Sequence, residues 1–366
     1  MTVRTVDAPA SSVSLRSIHA LRVGQASFRW NPRALVVGVV AAALLVAAAG
    51  LHLAFGGTAL DYPSVIRALL GDTADPFVTL TVTEFRAPRT VAAIVVGACL
   101  AASGAITQTV ARNPLASPDI MGVTTGAAFG AVAVLVAAGG GAAGLSGIAA
   151  TVGMPLAAFC TGLVSGVAVY LLAYRRGIDS FRLILVGLGV SGLATSLTTW
   201  MLTLGDVSSA AQALTWMIGS LNGKDWGLVA PMTLAAALLL AAAVAVSRPL
   251  LIANLSDETA IGLGVRLGRI RLLSLTVAVL LACLATVVAG PLAFVALATP
   301  QIARLLTRSI VPPVAVSMLV GAIFVLLSDT LSSNSLPVSL PVGVGTAVLG
   351  APYLIYLLIN AERSRT

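Results

Sequence analysis

The stretch GACLAASGAITQTVARNPLASPDIMGVTTGAAFGA, residues 97–131, decides what kind of molecule this chain makes. Its first half carries Gly, Ala and Ser at intervals of three and four, which lines one helical face with small side chains and lets a neighbouring backbone come close. Its middle, RNPLASPD at 112–119, holds two prolines. Proline lacks an N–H and keeps the preceding residue out of the helical conformation, so no continuous helix runs through Pro114 and Pro118. The stretch reads as helix, sharp turn, helix. LPVSLPVGVGTAVLGAP, residues 336–352, is broken in the same way. Non-helical backbone between apolar helices is tolerated in a membrane only where it is buried in protein or lines a cavity, a habit of transporters.

The rest of the chain agrees. Of its 366 residues 58% are hydrophobic and 9% charged, whereas a soluble domain carries about a quarter charged. A helix crossing about 30 Å of hydrocarbon needs roughly 20 apolar residues. Such runs predict an all-α, polytopic membrane protein with about ten transmembrane helices, at 34–55, 89–109, 118–138, 148–173, 183–204, 227–247, 272–289, 291–306, 312–331 and 342–360. Cytoplasmic segments concentrate Lys and Arg. With both termini in the cytoplasm, all of the 21 basic residues except Arg67, Arg86, Arg89 and Lys224 fall on that side. The expected location is therefore the cytoplasmic (inner) membrane, with lipid around the chain. The net charge of +8 is dispersed over loops rather than gathered with aromatics on one face, which excludes a nucleic-acid partner. Residues 1–33 are expected to be a flexible cytoplasmic tail and not a cleaved signal peptide, 34–360 the transmembrane domain, and 361–366 a short cytoplasmic tail.

Catalytic and metal signatures are missing from the sequence. Cys99, Cys160 and Cys283 fall inside spans as packing residues, and His19 and His52 are too far apart in the reading to share a metal. No phosphate-binding loop occurs: GSLNGKD around Lys224 has the wrong spacing and no Ser or Thr after the Lys. No cofactor, metal or catalytic residue is expected, and any energy must come from a partner or an ion gradient. The acids avoid the middles of spans. Asp206 and Asp329, with others, are read as solvated charges near outer ends, and Asp119, Asp179, Asp257 and Glu258 as inner ones, which disfavours coupling to a gradient.

NLSDETAIGLGVRLGRIR, residues 254–271, holds five ionisable side chains between two apolar runs. From the residues alone this is a solvated cytoplasmic loop. Asn254 or Ser256 can cap a short helix here, Asp257 and Glu258 suit the positive end of its dipole, and Gly262 and Gly264 can end it.

FRAPRTVAAIVVGACLAASGAITQTVARNPLASPDIMGVTTGAAFGA (85–131), GPLAFVALATPQIARLL (290–306) and LPVGVGTAVLGAPYLIYLL (340–358) resemble the signatures of the FecCD family, in order and over nearly all of 35–360. Its members are permease subunits of ABC importers for iron–siderophores, haem and cobalamin. The resemblance implies the type II ABC importer permease fold. It also implies a second permease subunit, in a homo- or heterodimer, with the pathway at the dimer interface and the two halves of each chain related as repeats. The further partners it implies are cytoplasmic ABC ATPase subunits and an extracytoplasmic substrate-binding protein. The segment near 255–264 becomes the coupling helix that docks in the ATPase, with Ser256, Asp257, Glu258, Gly262, Leu263 and Gly264 at the contact. Arg86 and Arg89 match an outer pair that meets acids of the binding protein; from the residues alone they are arginines at the headgroup level. Asn113 and Pro114, with Leu115, match an N-P-L-A element of the translocation path, and Ser180 and Phe181, in IDSFR at 178–182, match an inner gate. The chain departs from the pattern at Gln301, where the family usually has His, and at Ser333, where it often has Arg.

The expected function is a permease for a ferric siderophore, driven by a partner's ATP hydrolysis, with haem or cobalamin as the alternative cargo. A polytopic membrane enzyme would need acids or histidines clustered at one face. A gradient-driven carrier would need a working intramembrane acid, for which Asp206 and Asp329 are the obvious candidates.

Overall fold

A computed structural model describes residues 19–23, 26–30, 32–55, 60–71, 75–137, 152–174, 180–254, 257–334 and 340–363. Ahead of the helices, β1 (His19–Val23) and β2 (Ala26–Trp30) pair as an antiparallel hairpin. The helices are α1 (Pro32–Ala54), α2 (Tyr62–Leu69), α3 (Pro76–Leu80), α4 (Ala87–Val110), α5 (Val123–Ala137), α6 (Met154–Ala173) and α7 (Ser180–Leu204). They continue with α8 (Val207–Ile218), α9 (Trp226–Ala253), α10 (Asp257–Gly262), α11 (Leu267–Ala289), α12 (Val295–Thr307), α13 (Val314–Asn334) and α14 (Val342–Arg363).

Each of the ten expected spans coincides with one of these helices. Among the described residues seven helices are long and apolar enough to cross a membrane, and Val123–Ala137 and Val342–Tyr356 are shorter apolar ones. α5 has 15 residues and α12 has 13. At about 1.5 Å per residue neither bridges a bilayer alone. Each is preceded by irregular backbone that ends on a left-handed residue, Gly122 (φ 77°) before α5 and Phe294 (φ 67°) before α12. That backbone is buried at Ala116, Ser117, Pro118 and Leu292, as hydrocarbon requires. The two short helices start at opposite ends of the bundle, because α4, which leads into α5, and α11, which leads into α12, run in opposite directions.

At the centre stands α4, buried almost throughout from Pro88 to Val110 and surrounded by α13, α11, α9 and α12. α5, α6 and α7 form a second group against α11. Three of the acids near helix starts act as caps. Asp75, Asp206 and Asp225 accept backbone N–H groups at the starts of α3, α8 and α9, Asp206 from Ser209 (2.9 Å) and Asp225 from Leu228 (3.0 Å). Between α3 and α4 the helix widens to a π-turn at Thr81–Arg86, and Ala87 donates to Val82. The widening falls where Pro88, having no N–H, cannot bond to the carbonyl of Glu84.

Small residues set how close the central helices come. A Cβ on Gly97 would overlap the Gly321 carbonyl of α13, and one on Gly104 would overlap the Ala296 carbonyl of α12. Nothing lies within 4 Å of a Cβ added to Gly38 on α1. Gly104→Ala is therefore expected to destabilise the protein by about 1–3 kcal/mol, while Gly38→Ala leaves it unchanged or slightly firmer. Melting temperatures in detergent check this, and equal stability of the two variants would contradict the contact.

Candidate functional site

Two clusters of charge lie at opposite ends of α4, roughly 30 Å apart along a helix of this length. At the first, Asp329 of α13 is fully buried. Its carboxylate accepts two bonds from the Arg89 guanidinium, from Nε (2.7 Å) and Nη2 (2.8 Å), and a third from His52 Nε2 (2.8 Å). The bidentate fork is the strong geometry for such a pair. His52 Nδ1 lies 2.8 Å from Thr90 Oγ1, and that hydroxyl is 2.8 Å from the Arg86 carbonyl. Arg86, itself buried, donates through Nη1 to the carbonyls of Leu53 (2.8 Å) and Ala54 (2.9 Å), the last of α1. A cation there suits the negative end of the helix dipole. α1, α4 and α13 are thus joined by charge-assisted bonds.

This corrects the reading of Asp329 as a solvated charge. α13 runs on beyond it to Asn334, so the carboxylate faces neighbouring helices instead of water. The expected outer pair also has inward partners. Arg86 is 8% exposed, and the Arg89 side chain, at 24%, is the more accessible of the two. His52 was missed by sequence reasoning. The available signal was a lone titratable residue in an apolar run, with one acid and one base at matching depth in other spans. Of the departures from the family pattern, Ser333 Oγ donates to the Asp329 carbonyl. Gln301 is buried against α4, where its Nε2 donates to Gln108 Oε1 (2.6 Å) and its own Oε1 has no partner among the described residues.

At the second cluster Asp257, in the first turn of α10, accepts from Arg112 Nη2 (2.7 Å) and Arg271 Nη2 (2.8 Å) through one oxygen. Arg112 Nη2 also donates to the Ala253 carbonyl (3.1 Å). Asn254 donates through Nδ2 to the Thr109 carbonyl (3.0 Å). Asn254 therefore holds the end of α4 and does not cap α10, and Ser256, the other expected cap, lies outside the described residues. α10 ends in a double bond pattern, Val265 N–H to Ala260 and Gly264 N–H to Ile261, with Gly264 left-handed at φ 78°. Gly264 is thus the terminator, and Gly262 is the last helical residue with open space around it. Ile261 and Leu263 are each 63% exposed at this tip.

The turn after α4 is built by Asn113, whose Oδ1 accepts from the Leu115 N–H (2.9 Å). From there the loop is fastened to its neighbours. Gly122 O accepts from Ser165 Oγ of α6 (2.6 Å) and from Thr125 Oγ1 (3.1 Å). Gly187 of α7 lets the Ile120 carbonyl approach to where a Cβ would be 2.6 Å away. Ser180 opens α7 about two turns earlier, and Phe181 beside it is 75% exposed. The structure thus gathers Asn113, Pro114, Asp257 and the start of α7 at one end, and Arg86 and Arg89 at the other.

A model of the FecCD transport family matches residues 43–360. The ferric enterobactin transport system permease protein FepG of Escherichia coli is 40% identical over 311 residues, covering 85% of this chain and 91% of that one. The achromobactin transport system permease protein CbrC of Dickeya dadantii is 36% identical over 349 residues, covering 93% and 97%. Among solved structures, a metal-chelate type ABC transporter in an inward-facing conformation superposes with a TM-score of 0.76 at 27% identity, covering 89% of this chain and 99% of that one.

Two outcomes test the clusters. Asp329→Asn leaves the part-buried Arg89 guanidinium without its counter-charge and is expected to cost about 3 kcal/mol, read as a lower melting temperature; a variant as stable as the parent would remove the cluster's structural role. At the other end, the hydrogen bond from Arg271 holds the Asp257 carboxyl below its ordinary range; desolvation opposes this, and Arg112 adds to the lowering. Its contribution is complete above the ordinary carboxylate range and is lost only as pH falls through the lowered value. Amide exchange protection of residues 260–265 is expected to stay constant, after correction for intrinsic rates, down to about pH 5. Loosening that begins above that pH contradicts it.

Proposed function

Because the chain belongs to the FecCD transport family, we propose that it is the transmembrane permease subunit of an ABC importer that carries a ferric siderophore across the cytoplasmic membrane. ATP hydrolysis takes place in partner ATPase subunits. The observation that carries the reading is the 40% identity to a ferric enterobactin permease over nine-tenths of that protein.

The geometry fits this work. α10 and the residue that follows it present two exposed apolar side chains, Ile261 and Leu263, and an unobstructed Gly262 at the end of a short helix. Acids at its first turn and a firm C-terminal stop make it a compact body of the kind that seats in a cleft. That end faces the cytoplasm in this reading, with both termini, and the His52 end faces the binding protein. Arg89, more accessible than Arg86, is the contact through which an acidic surface of the binding protein docks. Ser180 and Phe181 open α7 beside the pathway shared with a second permease subunit. The acids a gradient-driven carrier would use have other work, since Asp206 caps α8 and Asp329 balances Arg89.

The test is transport in proteoliposomes by the permease assembled with its ATPase and a binding protein loaded with ferric catecholate, ferric hydroxamate or ferric citrate. ATP-dependent iron uptake from at least one chelate is expected. Uptake of haem or cobalamin with none of the three chelates would replace the cargo, and uptake driven by an ion gradient without ATP would overturn the class.

A further inference from the structure

Arg112 has the backbone of a glycine. It follows α4 at φ 48°, a conformation that costs a residue with a Cβ roughly 1–2 kcal/mol and that glycine adopts freely. A helix stop needs only the conformation, so an arginine here is retained for its side chain. That side chain reaches Asp257 at 2.7 Å and the Ala253 carbonyl at 3.1 Å. Asp257 in turn holds Arg271 of α11 at 2.8 Å. On its other side Arg112 continues into the 112–122 turn, which is bonded to α6 through Ser165 and rests on α7 at Gly187.

We propose that Asp257 is a positioning residue: by gripping Arg112 it makes α10 and the 112–122 turn one mechanical body, so that a displacement of α10 is passed to α5, α6 and the start of α7. The proposal rests on the permease reading, which supplies the force on α10. Energy between distant sites travels through packed and hydrogen-bonded elements of this kind. Stability is not the reason for the link. Arg112 is 41% and Asp257 49% exposed, and ion pairs so placed add little to the folded state. Its removal should spare the fold and affect transmission.

Arg112→Gly is the probe, because it relaxes the left-handed backbone while deleting the guanidinium together with its stem. The full complex is reconstituted with Arg112→Gly, Asp257→Asn, both together, and Asp257→Glu. Four quantities are read: melting temperature, co-purification with the ATPase, ATP hydrolysis, and iron transported per ATP. For Arg112→Gly we expect an unchanged or higher melting temperature, retained ATPase association and continuing hydrolysis. Iron transported per ATP should fall about five-fold or more, the lower edge of usual coupling between sites. Asp257→Asn should lower the same ratio, the double variant should be no worse than the poorer single one, and Asp257→Glu should restore most of the loss. An Arg112→Gly complex with the parental ratio overturns the proposal, as does a double variant whose loss is the product of the single losses. Absence of ATP-driven iron uptake in the parent complex would instead defeat the permease reading.

Discussion

Backbone contact between α4 and its neighbours is the constraint from which the rest of the structure follows. Gly97 against Gly321 and Gly104 against Ala296 bring main chains together where no side chain intervenes. Lipid supplies no hydrophobic drive for helices to associate, so close packing must. With α4 enclosed, the irregular chain before α5 and α12 finds protein on its sides instead of lipid, and short helices become affordable inside a membrane. The same enclosure leaves the bundle's exposed faces to α1, α7 and α9, whose surfaces are apolar enough for lipid.

Glycines mark a second place where chains cross. Gly219 (φ 81°), Gly290 (φ 75°) and Gly343 meet near the end of α8, where a Cβ on Gly290 would come within 2.5 Å of the Trp216 carbonyl. Ser220 N–H donates to Ala289 O (2.7 Å) and Gly343 N–H to Gly219 O (3.1 Å). The ends of α8 and α11 and the start of α14 are thus tied together. Gly290 of the 290–306 signature and Gly343 of the 340–358 signature are part of this crossing.

Span positions were legible because hydrocarbon thickness imposes length and composition directly, and each expected span falls on a helix. Among the described residues, however, only seven of these helices are long and apolar enough to cross, and α5 and α12 are shorter than the spans read for them. The broken helix at 112–122 was legible too, since Pro114 and Pro118 act locally. What escaped was pairing across distance. His52, Arg89 and Asp329 come from three spans separated by up to 277 residues, and no local pattern in one span announces a partner in another. Asn254 illustrates the same limit at short range. It has the right chemistry to cap α10, yet the Thr109 carbonyl, brought near by packing of α9 on α4, takes its amide. Local chemistry proposes the partners of a side chain, and tertiary contact chooses among them.

The order of synthesis gives the buried Asp329 a further consequence. Both of its cationic or hydrogen-bonding partners, His52 and Arg89, precede it by more than two hundred residues. α1 and α4 therefore enter the membrane first, carrying one imidazole and one guanidinium toward the same depth. When α13 emerges, its acid would carry a cost below the roughly 2.5–3.5 kcal/mol that applies at the centre of a lone helix, and a counter-charge is already in place to receive it. The late acid thus gives α13 a reason to settle beside α1 and α4 and not elsewhere, and the chain's own sequence order supplies an assembly instruction.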